Sequence, residues 1–182
     1  MERKGAARRL TETAVLLALC IASQFLKNLS VYITGPIVNC IIIIAVLEVG
    51  LGSGVLISVI APVTSFIITA SPVMKAMPLI IPAVMLGNIA MALPLWAIFR
   101  KTGRSLPLAL TAGTLVKGVF MGLVISVVII PLMGPGTALP PAALSTARFT
   151  FSVTQLITAA IGSVIAFIIR LPLEKYRANR EK

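Results

Sequence analysis

The chain has 182 residues, enough for a single domain, of which 58% are apolar and only 12% charged, with a mean hydropathy of +1.06. A soluble domain carries about 25% charged residues, so this composition excludes a soluble protein and implies an integral membrane protein. The net charge of +11 would also suit nucleic acid, but the basic residues cluster between apolar runs, a membrane pattern, and no nucleic-acid partner is expected.

A spanning helix takes about 20 mostly apolar residues. By that measure the chain divides into six segments, near residues 10–28, 36–49, 55–70, 77–99, 106–130 and 149–169. The expected fold is all-α, six transmembrane helices in one compact bundle and one domain.

The first segment, LTETAVLLALCIASQFLKN, follows a basic arm (Arg3, Lys4, Arg8, Arg9). A basic start before an apolar run resembles a secretory signal, but the equally apolar runs that follow make it the first span instead. Leu17-Ala18-Leu19-Cys20 resembles a lipoprotein cleavage site, with a Leu before the Cys that fits poorly. Cys20 and Cys40 fall inside apolar runs and read as small hydrophobes rather than a disulfide or metal pair. Ala14, Ala18 and Ala22 recur every four residues, which places them on one helix face. Small residues let helix backbones approach closely in a bilayer. Either this chain's own helices use that face, as Gly118/Gly122 and Gly162/Ala166 would elsewhere, or a partner does.

A linker, LSVYITGP, leads to the second segment, which is short for a span and is expected to begin before Gly35 or to bend there. It carries Asn39 in its outer half and Glu48 at its inner end. GLGSG (50–54) is expected as a turn, and Pro62 as a kink in the third segment. Residues 71–75 are expected as a loop. The fourth segment should have Pro78 in its first turn and bends at Pro82 and Pro94. Asn88 lies at mid-depth, and Trp96 and Arg100 look like interfacial anchors. A polar loop, RKTGRS, precedes the fifth segment, which holds Lys117 near its middle. The Pro/Gly-rich stretch LMGPGTALPPAALSTAR then leads to the sixth segment, with Gln155 in its outer half, and to a charged tail.

An even number of spans puts both termini on one side. The N-terminal arm, the 100–104 loop and the tail hold 12 of the 16 Lys and Arg residues, so both termini are expected to be cytoplasmic. The five acids (Glu2, Glu12, Glu48, Glu174, Glu181) all fall toward that side, and the outer half has none.

Several chemistries are excluded. There is no His and no Asp, so zinc or histidine catalysis and an aspartate magnesium site have no home. No Gly-rich phosphate loop ends in Lys-Ser or Lys-Thr. Neither an enzyme nor a self-powered pump is expected, and no cofactor or metal.

Lys117 is costly at mid-membrane depth, and such residues face a polar cavity or a partner. The alternative is a structural lysine bonded to backbone carbonyls or to Asn88. Asn88, Gln155 and Asn39 are either its companions in a pocket or interhelical bonds worth about 0.6 kcal/mol each. Arg148 and Lys75 either snorkel to the headgroups or meet a ligand.

These residues together resemble a known family, the substrate-binding (S) components of energy-coupling factor transporters. The resemblance rests on six spans with cytoplasmic termini and the first-helix Ala14-Val15-Leu16-Leu17-Ala18, continued to Ala22. MPLIIPAVMLGNIA (77–90), the mid-span lysine and QLITAAIGSVIA (155–166) complete it. It implies a vitamin importer of the prokaryotic plasma membrane. Such a subunit captures a small molecule from outside, docks through helix 1 on a transmembrane coupling protein carrying two ATPases, and topples to release its cargo. The implied substrate residues are Asn88, Lys117, Arg148 and Gln155, with Tyr32 on the first loop and Asn39 beside them. Leu132 to Ala147 becomes a lid candidate. The chain begins Met-Glu-Arg and has no His, so nickel or cobalt cargo is not expected, and its single Trp at the inner end does not suit an aromatic thiamin or riboflavin pocket. Lys75, Arg148, Lys117 and Lys27, with no acid to balance them, point to an anionic cargo; the alternative is a neutral, buried Lys117 that serves only as a hydrogen-bonding group. The alternatives are a stand-alone permease, for which only Glu48 offers an intramembrane acid, and a ligand-free structural subunit.

Overall fold

In the computed structural model, residues 5–28, 30–103 and 105–180 are described, without the side chains of residues 27, 28 and 173–180. Expectations resting on the basic arm before Gly5, Lys27, Arg104 and the tail charges therefore lie outside the described residues. The described residues are mostly helical, with no strand among them.

The first helix, α1, runs Ala6–Gln24 and ends in a short 3₁₀ turn, Phe25–Asn28. The second, α2, runs Val31–Ile44 and continues as a wide π turn, Ala45–Val49. It starts where it does because Ser30 is extended and its hydroxyl accepts the Tyr32 N–H at 3.1 Å, an N-cap. The short second segment thus begins before Gly35, and Pro36 is carried inside the helix. Tyr32 belongs to the first turn of α2, not to a loop.

The expected GLGSG turn contracts to one residue. Gly50, with φ of +145°, makes the break, and α3 (Leu51–Thr69) takes in Gly52 and Gly54. A side chain at Gly54 would stand 2.2 Å from Val46 Cγ2, so this glycine serves close packing on the α2 π turn. Ala70, left-handed with φ of +46°, ends α3. The expected 71–75 loop holds a short helix, α4 (Pro72–Ala76), with Lys75 exposed on it.

The next helix, α5, runs Ile80–Pro94 and widens into a π turn, Leu95–Lys101. It starts later than Met77, so Pro78 falls in the preceding turn and Pro82 in the first helical turn, where a missing N–H costs nothing. α6 (Leu106–Leu123) widens at Val124–Ile129 before α7 (Ile130–Met133). The Pro/Gly-rich stretch is not simply loop. Residues after Gly136 lead into α8 (Pro141–Phe151), and a break at Ser152 starts α9 (Val153–Arg180), four residues later than Phe149.

Five segments are long and apolar enough to cross a membrane: Val31–Val49, Leu51–Thr69, Ile80–Lys101, Leu106–Gly136 and Pro141–Pro172. α1 carries Arg8, Arg9 and Glu12 in its first turns and stands outside that group. The helices form a ring in which α2 packs on α9, α9 on α6, α6 on α5 and α5 on α3; α1 is seated on α2 and α3. Glycines permit the closest crossings. A side chain at Gly162 would stand 2.7 Å from Asn39 Cβ and 2.8 Å from the Pro36 carbonyl, and one at Gly35 would stand 2.7 Å from Thr158.

At one end of the bundle Glu48 on α2 pairs with Arg170 on α9 at 3.2 Å, and the Arg170 guanidinium lies 4.3 Å from the centre of the Phe99 ring. Arg100 donates to the Val46 carbonyl at 3.1 Å, and the Lys101 ammonium sits 5.7 Å from the Trp96 ring. Arg100 therefore ties two helices at the bundle's end as well as facing its surface, whereas the Trp96 contact lies within one helical segment.

Candidate functional site

Toward the opposite end, α2, α3, α5, α6 and α8 surround a cavity of about 350 Å³, joined by Gln24 of α1 and Gln155 of α9. Most of its wall is apolar: Val31, Val38, Pro62, Met74, Val84 and Phe151 contribute. That volume lies within the range of small-molecule pockets, about 300–1,000 Å³.

Lys117 is the only charged side chain among the described lining residues. It is 1% exposed and donates from Nζ to Asn39 Oδ1 at 2.6 Å and to Asn88 Oδ1 at 2.7 Å. When protonated, Nζ has three donors, so the two asparagines leave one hydrogen unused. The backbone fixes how the asparagines face. Pro62 has no N–H, so the Ser58 carbonyl loses its partner one turn on, and Asn88 Nδ2 donates to that carbonyl, at a long 3.5 Å. Asn39 Nδ2 likewise donates to Thr158 Oγ1 at 3.4 Å. With both amide nitrogens committed to α3 and α9, both oxygens turn to Lys117. Of the two structural alternatives for Lys117, backbone carbonyls and Asn88, the second is realised, with Asn39 added.

The structure thus brings together Asn39, Asn88, Lys117 and the half-buried Gln155. It does not bring Tyr32 or Arg148 to them. Tyr32 is 47% exposed. Arg148, exposed on α8, lines a separate recess with Ser126, Ser145 and Ser152, while its neighbours Ala147, Thr150 and Phe151 line the cavity. Within the lid candidate, Thr146 and Ala147 form part of the wall.

Gln24 is a lining residue that the sequence reading does not single out. It is 2% exposed, and Nε2 donates to the Ala61 carbonyl at 3.0 Å and to Thr64 Oγ1 at 3.1 Å. The available signal was an amide in the last turn of an otherwise apolar run.

On the other face of α1, Ala14, Ala18 and Ala22 are all exposed, beside Val15 at 54% and Leu19 at 55%. Among the described residues no helix of this chain covers that face. Cys20 and Cys40 are buried, free and in the apolar core, and no group of metal-ligating side chains is present among the described residues.

A bundle of membrane-length helices around a partly open, ligand-sized cavity with Lys117, Asn39 and Asn88 in its wall defines a multi-pass membrane protein with room for a small molecule. A family model, "ECF transporter, substrate-specific component", matches residues 8–173, and the chain belongs to that family. No curated protein and no solved structure gives a match.

Proposed function

We propose that this protein is the substrate-binding subunit of an ATP-driven importer in a prokaryotic plasma membrane. It takes an anionic, water-soluble, vitamin-class molecule from outside. α1 is then a sixth span, with its basic first turn and the Glu48–Arg170 end toward the cytoplasm and the cavity toward the outside. The exposed alanine face of α1 docks on the transmembrane coupling protein, which carries the two ATPases. Small side chains on an uncovered face suit close helix contact in lipid.

One observation carries the cargo assignment. The Lys117 ammonium lies in an apolar cavity, held by two neutral amides and faced by no carboxylate among the described residues. A buried charge without a counter-ion is costly, and a carboxylate or phosphate on the ligand relieves that cost. Gln155 bonds the neutral part. Arg148 stands off this cavity, so the acid group is assigned to Lys117. A proton-coupled permease would need an acid at the cavity, whereas Glu48 pairs with Arg170 at 3.2 Å at the opposite end of the bundle.

The test begins with mass spectrometry of whatever stays bound to the purified protein, followed by equilibrium binding of that molecule. A charge-assisted bond is worth about 1.5–3 kcal/mol, so Lys117→Met should weaken binding by roughly ten- to a hundred-fold, and Arg148→Met should weaken it far less. Near-normal affinity in Lys117→Met, or a cationic ligand, would sink the proposal.

A further inference from the structure

Gln24 poses a problem that neither packing nor the Lys117 floor resolves. The amide is buried at the cavity wall, and its orientation is fixed, because Nε2 faces the Ala61 carbonyl, which can only accept. Its oxygen, Oε1, is buried and has no hydrogen-bond partner among the described residues. Buried polar atoms in folded proteins nearly always have a partner, and one left alone asks for an explanation. The requirement is stricter in a bilayer, where no bulk water can stand in.

The two polar sites also differ in kind. Lys117 offers a hydrogen and wants an acceptor, whereas Gln24 Oε1 offers a lone pair and wants a donor. Their supports are neighbours on α3: Asn88 is held by the carbonyl of Ser58 and Gln24 by that of Ala61, three residues further along the helix. That places the two supports about 4.5 Å apart along the axis, within the reach of one small molecule.

We infer that Gln24 is a specificity-determining residue, and that the substrate carries an N–H or O–H donor, accepted by Gln24 Oε1, in addition to the acid that meets Lys117. This rests on the substrate-binding reading above. The substrate class becomes a small acid with a donor group, an amino, amido or hydroxy acid, rather than a simple carboxylate or phosphate. A site with an acceptor that must be filled rejects an analogue lacking the donor far more strongly than it rejects a changed methylene.

The experiment uses the full chain in detergent, washed free of bound molecules. Wild type, Gln24→Met and Lys117→Met are each incubated with the sub-kilodalton, water-soluble fraction of a cell extract. What each retains is identified by mass spectrometry, and the thermal midpoint of each empty protein is recorded. Methionine matches glutamine in length and takes the orphaned oxygen away. The expected result is a captured acid bearing an N–H or O–H, retained at least about ten-fold less by Gln24→Met, with the midpoint of the empty variant showing whether it is folded after losing the Nε2 bonds to Ala61 and Thr64. A second arm needs no variant: the captured molecule with its donor methylated should bind the wild type at least about ten-fold more weakly. If Lys117→Met loses the molecule while Gln24→Met keeps it, if the methylated form binds equally, or if the molecule has no donor, the inference about Gln24 fails and the substrate-binding reading stands. If nothing is captured, or both variants capture as well as wild type, both fail. Should Gln24→Met not fold, the methylated analogue decides.

Discussion

Replacing Gly162 by alanine should disturb the cavity without replacing a residue that lines it. The added Cβ would lie 2.7 Å from Asn39 Cβ, 2.8 Å from the Pro36 carbonyl and 3.1 Å from the Cys40 nitrogen. Two of these neighbours are backbone atoms, so no side chain can rotate away. Bringing the contacts back to ordinary van der Waals distance requires α2 and α9 to part by roughly 0.8 Å, and such overpacking costs about 1–3 kcal/mol. The displaced residue is Asn39, whose bond from Lys117 is 2.6 Å long; a shift of that size along the bond stretches it to roughly 3.4 Å, outside the hydrogen-bonding range. The variant should therefore unfold more readily in detergent and retain its ligand several-fold less well. Gly122→Ala is the matched control, because a side chain there meets nothing within 4 Å and alanine favours a helix over glycine by up to about 1 kcal/mol. If Gly162→Ala and Gly122→Ala are indistinguishable in unfolding and in ligand retention, the close α2–α9 crossing is not what positions Asn39.

Other outcomes test the remaining expectations. Ala18→Trp or Ala22→Trp should block co-purification with the coupling protein and ATPases while ligand binding persists; transport at the normal rate would show that this face docks nothing. Cysteines at Thr102 and Ala178 should react with an impermeant thiol reagent only from the cytoplasm, and one at Thr137 only from outside. Labelling of Thr102 and Thr137 from the same side would overturn six spans.

The helices were legible because their apolar runs are long and the few polar residues between them are charged. Element boundaries were less so, and each miss has a local cause. GLGSG reads as a loop by its glycines, yet only Gly50 takes a positive φ, and Gly54 is small because Val46 is close. α8 was hidden in a Pro/Gly-rich stretch, although Pro140-Pro141 sits where a helix can begin. The site's floor was partly visible, since Lys117, Asn88 and Asn39 are conspicuous in apolar surroundings. Which of them touch was not, because the Lys117–Asn39 bond joins residues 78 apart in sequence. Glu48 and Arg170, 122 apart, were equally out of reach. Gln24 is inconspicuous for a different reason: the alanines of α1 mark one face, and a helix can present one face to a partner and another to a ligand.

The solitary charge of the cavity bears on what the membrane voltage can do. An elementary charge crossing 100 mV exchanges about 2.3 kcal/mol with the field, and an inside-negative potential opposes the entry of any bare anion. An acid group seated on a protonated Lys117 forms a pair with no net charge, and no other lining side chain among those described is charged. On the proposed function, whatever motion carries the filled cavity from one face to the other would move a neutral object through the field, whereas an empty cavity whose lysine kept its proton would travel with a cation. The voltage would act on the return of the unloaded protein rather than on the delivery of its cargo.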